Sequence, residues 1–267
     1  MKILSLGAGV QSTTLALMAA RDVIDRPDYA IFADTGGEPE VVYKHLDWLE
    51  TVLPFPVIRA RRAGPTLAEL AINIANNPIT KSAMPPWFTM LNGKKGMLSK
   101  QCAKEFKARV VQAEIRKLLG IKPKARAPKT AAVEQWLGIS TDEAHRMKPS
   151  EVSWVTNRWP LIELKINRQD CLSWLEKNNF PVAPKSSCIF CPYRSDAQFR
   201  DMRENWPADW GKAIQIDEAI RPGFHGFEGQ AFVHKSATPL AEVDLRSWDE
   251  KGQPDLFGEE CEGMCGV

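Results

Sequence analysis

The feature that most constrains the fold lies at the start of the chain, where an apolar run gives way to a glycine turn. The stretch is SLGAGVQST, residues 5–13, and it follows the apolar residues Ile3 and Leu4. A run of this kind is typical of a buried strand that enters a tight turn. Apolar residues at helical spacing follow the turn. The pattern therefore predicts a strand, a turn and a helix, the opening unit of an α/β sheet.

The same turn has the chemistry of an anion site. Its small residues allow a ligand to approach the backbone, and the free N–H groups at the start of the helix suit a phosphate or sulfate. It lacks the Gly-Lys-Ser/Thr of a Walker P-loop and the third glycine of the dinucleotide fingerprint. Taken alone, it is equally typical of an ordinary strand-to-helix turn. The candidate contacts are Ser5, Gly7, Gly9, Gln11 and Ser12.

Two further strands are predicted at residues 29–33 and 56–59, with a helix over 39–50 between them. This alternation favours a parallel, right-handed βαβ arrangement, so the predicted fold is an α/β, Rossmann-like parallel sheet flanked by helices. The second strand ends in an acidic turn that contains Asp34, Thr35 and Gly36. Because ligands bind at the carboxyl ends of parallel strands, we expect this turn and the glycine turn to share one crevice.

Length and composition limit the classes of protein to consider. The chain has 267 residues, of which 44% are hydrophobic, which is enough for a sizeable core. A net charge of +2 gives no global electrostatic case for nucleic acid or membrane binding. We find neither a signal peptide nor a membrane span, and expect a cytoplasmic protein. We predict a main domain over 1–205 and an irregular C-terminal extension and tail over 206–267.

The six cysteines carry most of the chemical signal, because thiols in a reducing compartment are more often free, catalytic or metal-bound than paired. Cys188 and Cys191 have the spacing of two ligands to one metal or cluster. A redox couple is the alternative, but a thioredoxin-type pair opens a helix, whereas this one ends a loop and precedes Pro192. Metal binding is therefore favoured.

Two thiolates rarely hold a metal alone, so further ligands are expected, and Cys102 and Cys171 complete a candidate set of four. Neither a second CxxC nor a CxxH is present, which favours an iron–sulfur cluster of the 4Fe-4S type over zinc. For Cys171 a small buried hydrophobe is an equal alternative. Cys261 and Cys265 lie in a glycine-flanked acidic tail, which favours nucleophilic or exchange chemistry there.

The motifs of the chain, and their order along it, resemble those of the phosphoadenosine phosphosulfate (PAPS) reductase family, within the adenine nucleotide alpha-hydrolase-like superfamily. The glycine turn is similar to the nucleotide loop of that family, and FADTGGEPE is similar to its Asp-Thr-Gly turn. The sequence departs from the family at Cys102, where one of two adjacent cysteines is absent, and at Ser140, where an arginine is expected. The other matching segments are QCAKEFKAR, LGISTDEAHRM, WPLIE, CIFCP and the EC at residues 260–261.

The resemblance implies an adenine nucleotide, PAPS, APS or ATP, with its phosphates on the glycine turn and with Gly138 among the binding residues. It implies that Cys261 or Cys265 attacks the sulfur of the activated sulfate, and that thioredoxin or glutaredoxin then releases sulfite. Lys104 and Arg146, with Lys107 and Arg109, would supply positive charge near that sulfate. A solvated basic helix face is the alternative for each of these cations.

Two other functions stay open. One is a cluster-dependent, ATP-using sulfur transferase that modifies a nucleic acid, with the basic loop over 122–129 and the aromatic residues Trp87 and Phe88 as candidate contacts. Packing is the alternative for both aromatic residues. The other is a catalytically inactive nucleotide-binding accessory protein, which would bind without turnover.

Overall fold

The computed structural model describes residues 1–74, 85–122, 125–130, 132–246 and 250. The chain divides into two compact units that alternate along the sequence. The first unit comprises Met1–Asp34, Glu40–Arg61 and Ala108–Ser186, and the second comprises Thr35–Pro39, Arg62–Lys107 and the chain from Ser187 onward. The predicted division into 1–205 and 206–267 is a single cut along the sequence, whereas each of these units combines several segments, and it stays a prediction.

The described residues contain eight strands and eight α-helices, together with a π-helical turn and two short 3-10 helices. The strands are β1 (Lys2–Ser5), β2 (Tyr29–Asp34), β3 (Val57–Arg61), β4 (Phe88–Leu91), β5 (Lys94–Met97), β6 (Val133–Leu137), β7 (Val155–Arg158) and β8 (Gln230–Phe232). The helices are α1 (Val10–Ala20), α2 (Glu40–Val52), α3 (Leu67–Ile72), α4 (Arg109–Leu118), α5 (Pro160–Glu163), α6 (Arg168–Lys177), α7 (Asp196–Asn205) and α8 (Pro207–Ile220). None of the described helices is both long and apolar enough to cross a membrane.

The first unit is built on a five-stranded sheet with the order β3-β2-β1-β6-β7, and every neighbouring pair is parallel. The predicted α/β, Rossmann-like sheet is therefore confirmed. Successive residues of a strand point to opposite faces. Accordingly Leu4 and Phe32 lie in one core, whereas Ile3 and Ile31 lie in another.

Helices cover both faces of this sheet. Helices α1, α2 and α6 contribute buried residues to the core that contains Leu4, and α4 contributes Val110 and Ile115 to the core that contains Ile3. The chain order of the strands reverses between β1 and β6, and such a switch point opens a crevice beyond the carboxyl ends of the two strands. The glycine turn follows β1 directly, so it lies at this crevice.

The second unit contains a three-stranded antiparallel sheet with the order β5-β4-β8, together with α3, α7 and α8. Trp87, Phe199 and Ile216 are fully buried in its core. Part of the predicted irregular extension is also ordered, because Val233 and Leu240 are buried in the same core. Val233 ends an apolar run of three residues and Leu240 lies between Pro239 and Ala241, and both stretches are too short for a periodicity that would indicate burial.

Candidate functional site: an anion loop and a cysteine pocket

The glycine turn connects β1 to α1 and is held by a side-chain hydrogen bond. β1 ends at Ser5, and α1 begins at Val10 after Gly9. Ala8 is buried and adopts a left-handed backbone with φ of 55°, a strained conformation for a residue with a side chain. The Ser12 hydroxyl accepts a hydrogen bond from the Gly7 amide at 3.1 Å, which ties the turn to the first turn of the helix. The predicted anion site is thus a compact, internally braced loop.

Two other segments of the first unit pack onto this loop. A Cβ atom at Gly138 would lie 2.9 Å from the Ser12 amide nitrogen, so the chain after β6 touches the loop backbone directly. From the other side the Ser186 hydroxyl donates a hydrogen bond to the Gly7 carbonyl oxygen. Gly138 was predicted as a binding residue, whereas Ser186 was not. A serine in a loop gives no sequence signal of such a contact.

The loop side chain Gln11 connects to two residues of the same unit. Its amide nitrogen donates to the Ser140 hydroxyl at 3.4 Å, and its amide oxygen accepts from the Arg168 guanidinium at 3.2 Å. Ser140 is fully buried. An arginine therefore reaches the loop from α6, at a position that the sequence analysis did not single out.

The residues of the acidic turn fall in different units. Asp34 ends β2 at the same sheet edge as the glycine loop, and its carboxylate accepts a hydrogen bond from the Tyr43 hydroxyl at 2.7 Å. Thr35 and Gly36 belong to the second unit. There the Thr35 hydroxyl lies 3.3 Å from the Cys188 sulfur.

Gly36 and Gly37 are required by the packing of the second unit. Gly36 has φ of +70°, and a Cβ atom there would lie 2.5 Å from the Thr66 side chain. A Cβ atom at Gly37 would lie 2.7 Å from the Phe190 ring. The Ile189 amide donates to the Gly37 carbonyl oxygen at 2.7 Å. The Asp-Thr-Gly turn and the CxxC segment therefore brace each other.

Three of the four predicted metal ligands line one pocket of the second unit: Cys102, Cys188 and Cys191. Lys100 and Lys107 line it too, with Tyr193 and other residues. The pair Cys188 and Cys191 lies on a tight turn, since the Cys191 amide donates to the Cys188 carbonyl oxygen at 3.0 Å. The fold thus brings Cys102 to the same pocket as the CxxC pair, although it precedes that pair by 86 residues in the chain.

A buried arginine clamps the CxxC turn. The Arg194 guanidinium donates to the Cys188 carbonyl oxygen at 2.9 Å and to the Ser187 carbonyl oxygen at 2.6 Å. The Ser187 hydroxyl is buried and has no hydrogen-bond partner among the described residues. The main chain of the turn is therefore held in place by the Arg194 side chain.

Two thiols of the pocket are hard to ionise. Burial and, after it, the nearby Glu38 carboxylate raise the pKa of Cys188 to about 12. Burial also raises the pKa of Cys102. Lys107 opposes this effect at both cysteines. A bound cation would supply the charge that a buried thiolate needs.

Lys107 and Glu38 form a buried ion pair beside these thiols. The ammonium lies 3.4 Å from the carboxylate, and the side chains are 23% and 1% exposed. Burial alone would lower the pKa of Lys107, but Glu38 and the two nearby cysteines hold it above its ordinary value. The pocket therefore keeps a positive charge at neutral pH.

Cys171 lies elsewhere, in the hydrophobic core of the first unit among residues of α1 and α6. It is fully buried, and burial raises its pKa to about 11, against the opposing effect of the nearby Thr14 side chain. This environment is that of a small buried hydrophobe, the alternative that the sequence left open. The pocket of the other three cysteines does not include it.

The predicted cations differ in their surroundings. Lys104 is exposed on the π-helical turn Lys104–Ala108, and it does not line the cysteine pocket. Arg146 is paired with Glu143 at 2.7 Å. Lys107 is the predicted cation that the structure places among the thiols. Cys261 and Cys265 lie outside the described residues.

By donor type, three thiols in an apolar pocket fit a soft metal or an iron–sulfur cluster. Their arrangement does not by itself define such a site, because the described residues contain no group of three or more His, Cys, Asp or Glu placed to hold a metal ion. The aromatic residue Trp87 is fully buried against Phe224, with the ring centres 5.8 Å apart. It therefore offers no free face for stacking on a base.

Comparison with known proteins gives matches among solved structures. No family profile matches the chain, and no curated protein sequence matches it. Among solved structures, the chain is similar to phosphoadenylyl-sulfate (PAPS) reductase from Candida auris in its phosphate complex, with 14% sequence identity and a TM-score of 0.45. The similarity covers 68% of this chain and 74% of that one.

Proposed function

We propose that this chain binds an adenine nucleotide and reduces a sulfonucleotide, PAPS or APS, to sulfite. The observation that carries the proposal is the braced glycine loop, which lies at the switch point of a parallel sheet and leads directly into the start of helix α1. The thiol pocket of the second unit supports sulfur chemistry in particular. The proposed reaction is the one implied by the resemblance of the sequence motifs to those of the PAPS reductase family.

In the proposed reaction the thiolate of Cys261 or Cys265 attacks the sulfur of the nucleotide's sulfo group. A sulfur–sulfur bond forms while the bond from sulfur to the phosphate oxygen breaks, and the nucleotide leaves as its phosphate. The enzyme then carries a cysteine S-sulfonate. A dithiol protein such as thioredoxin or glutaredoxin supplies two electrons, releases sulfite and is itself oxidised to the disulfide.

Cys102, Cys188 and Cys191 are the residues that would hold an iron–sulfur cluster, or zinc as the alternative. A bound metal would supply fixed local charge and keep its cysteine ligands deprotonated. The chain's own contribution is to hold two thiols on the clamped CxxC turn and the third just before the π-helical segment, and to place Lys107 beside them. Its ammonium offsets part of the negative charge that three thiolates introduce.

A second candidate is the ATP-using sulfur transferase that modifies a nucleic acid. One observation favours it: three cysteines line the pocket, and Cys171 lies in another core. A four-iron cluster with three protein thiolates would keep one position open to an external ligand.

A single-turnover experiment tests the proposal. Protein purified without oxygen is mixed with PAPS labelled in the sulfo group, and peptide mapping locates the label. Label on Cys261 or Cys265, lost in Cys261→Ser or Cys265→Ser but kept in Cys171→Ser, supports the reductase. Protein that binds adenine nucleotides and transfers no label refutes it. Transfer of sulfur to RNA or DNA with ATP would then support the second candidate, and binding without any turnover the accessory protein.

A further inference from the structure

A positive charge strengthens the binding of an oxyanion, and one arginine side chain contacts the glycine loop. The guanidinium of Arg168 donates to the side-chain oxygen of the loop residue Gln11 at 3.2 Å. Gln11 is the second residue of α1, so its side chain belongs to the mouth of the predicted anion site. Arg168 therefore reaches the site through direct contact with the loop.

Both partners of this contact are held in place. Arg168 is the first residue of α6, behind a capping box formed by Asn167 and Asp170. Its own amide also donates to the Asp142 carboxylate at 3.0 Å. On the loop side, the Gln11 side-chain amide donates a hydrogen bond to the Ser140 hydroxyl at 3.4 Å. The guanidinium is thus presented from a rigid helix start.

The Arg168 guanidinium forms no ion pair with a carboxylate of the described residues. Within the described ranges no Asp or Glu side chain lies within ion-pair distance of its guanidinium, and its side-chain partner there is a neutral amide. Arg146, in contrast, is paired with Glu143. A guanidinium has five N–H donors in a planar fork, and one contact to Gln11 leaves most of them for an oxyanion.

We propose that Arg168 binds the phosphate or sulfate group of the nucleotide on the Gly7–Ser12 loop, and that Gln11 positions it. This inference rests on the proposed nucleotide binding and adds a binding residue to that site. A planar guanidinium binds two oxygens of one phosphate or sulfate in parallel, which a lysine cannot do. The residue therefore selects nucleotides that carry such a group over the nucleoside.

The test compares ligands that differ in the anionic group. Calorimetry measures the affinity of wild type, Arg168→Gln and Arg168→Lys for adenosine 3′,5′-bisphosphate, AMP and adenosine. Arg26→Gln is the matched control, because it removes the same charge from an exposed i,i+4 pair in the same unit. We expect Arg168→Gln to weaken both nucleotides about tenfold to a hundredfold, the loss of charge-assisted hydrogen bonds, with adenosine within twofold. Arg168→Lys should fall between.

Two results would overturn the inference. One is an equal loss of adenosine and nucleotide affinity, which would mean that Arg168 contacts the adenine base or only stabilises the fold. The other is wild-type nucleotide affinity in Arg168→Gln. If the wild type binds no adenine nucleotide, the proposed function fails, and titration with inorganic phosphate and sulfate then decides the inference. Amide shifts at Gly7 and Gly9 that disappear in Arg168→Gln support it, and shifts that persist or never occur refute it.

Discussion

The contact between Gly138 and the anion loop allows a stringent test of the site geometry. A Cβ atom at Gly138 would lie 2.9 Å from the amide nitrogen of Ser12, 3.1 Å from its Cα and 3.2 Å from the Gln11 carbonyl carbon. All three are main-chain atoms, so no side-chain rotation relieves the contact. Carbon atoms pack best at about 3.5–4.0 Å, so Gly138→Ala must displace the loop by roughly half an ångström. Overpacking of this kind costs about 1–3 kcal/mol.

Gly7→Ala is the matched control within the same loop. A Cβ atom there would meet the Ser12 and Ser186 hydroxyl oxygens at 3.7 and 3.9 Å, which is ordinary contact. We expect Gly138→Ala to unfold at lower denaturant than the wild type in guanidinium titrations followed by circular dichroism. Gly7→Ala should unfold at the same denaturant concentration as the wild type, yet bind adenine nucleotides more weakly. Equal midpoints for the two variants would refute the inference that Gly138 fixes the loop.

Two buried polar contacts give further predictions. Burial lowers the pKa of His45 to about 4, so between pH 6.5 and 4 the unfolded chain takes up a proton that the folded chain does not. Stability should therefore fall by up to about 3 kcal/mol as the pH falls through this window, and His45→Gln should flatten a pH series of denaturation midpoints. A variant with the wild-type slope would contradict this. In the second unit, Glu38→Gln leaves the Lys107 ammonium buried without its carboxylate and should cost about 3–5 kcal/mol in the same assay. Adding Lys107→Met should restore most of that loss, and an undiminished loss in the double variant would show that Glu38 acts through another contact.

The sequence predicts the sheet well, because its signal is local. The strands over 29–33 and 56–59 lie within or beside β2 and β3, and the helix predicted over 39–50 lies within two residues of α2. Apolar runs bounded by Gly, Pro and Asp produce these predictions. In the structure Asn167 and Ser195 cap α6 and α7 through capping boxes, which are contacts between residues close in sequence.

The parts that the sequence does not predict depend on tertiary contacts. Cys171 could be a ligand or a core residue until the packing of α1 against α6 places it beside Thr14. Arg168 sits in an unremarkable helix start, and only the fold brings it to Gln11. The short strands β4 and β5 contain or flank Gly93 and Gly96, which read as turn residues in the sequence. Spacing along the chain contains none of this information.

The central claim is that three cysteines of one pocket hold a metal or cluster beside Lys107, and that Cys171 does not. The most direct measurement is the iron, sulfide and zinc content of protein purified without oxygen, with the visible spectrum, for Cys102→Ser, Cys188→Ser, Cys191→Ser and Cys171→Ser. The account predicts that the first three variants lose the metal, while Cys171→Ser keeps the wild-type stoichiometry and loses only some stability. Loss of the metal in Cys171→Ser with an intact fold, or a wild type that contains no metal, would contradict it.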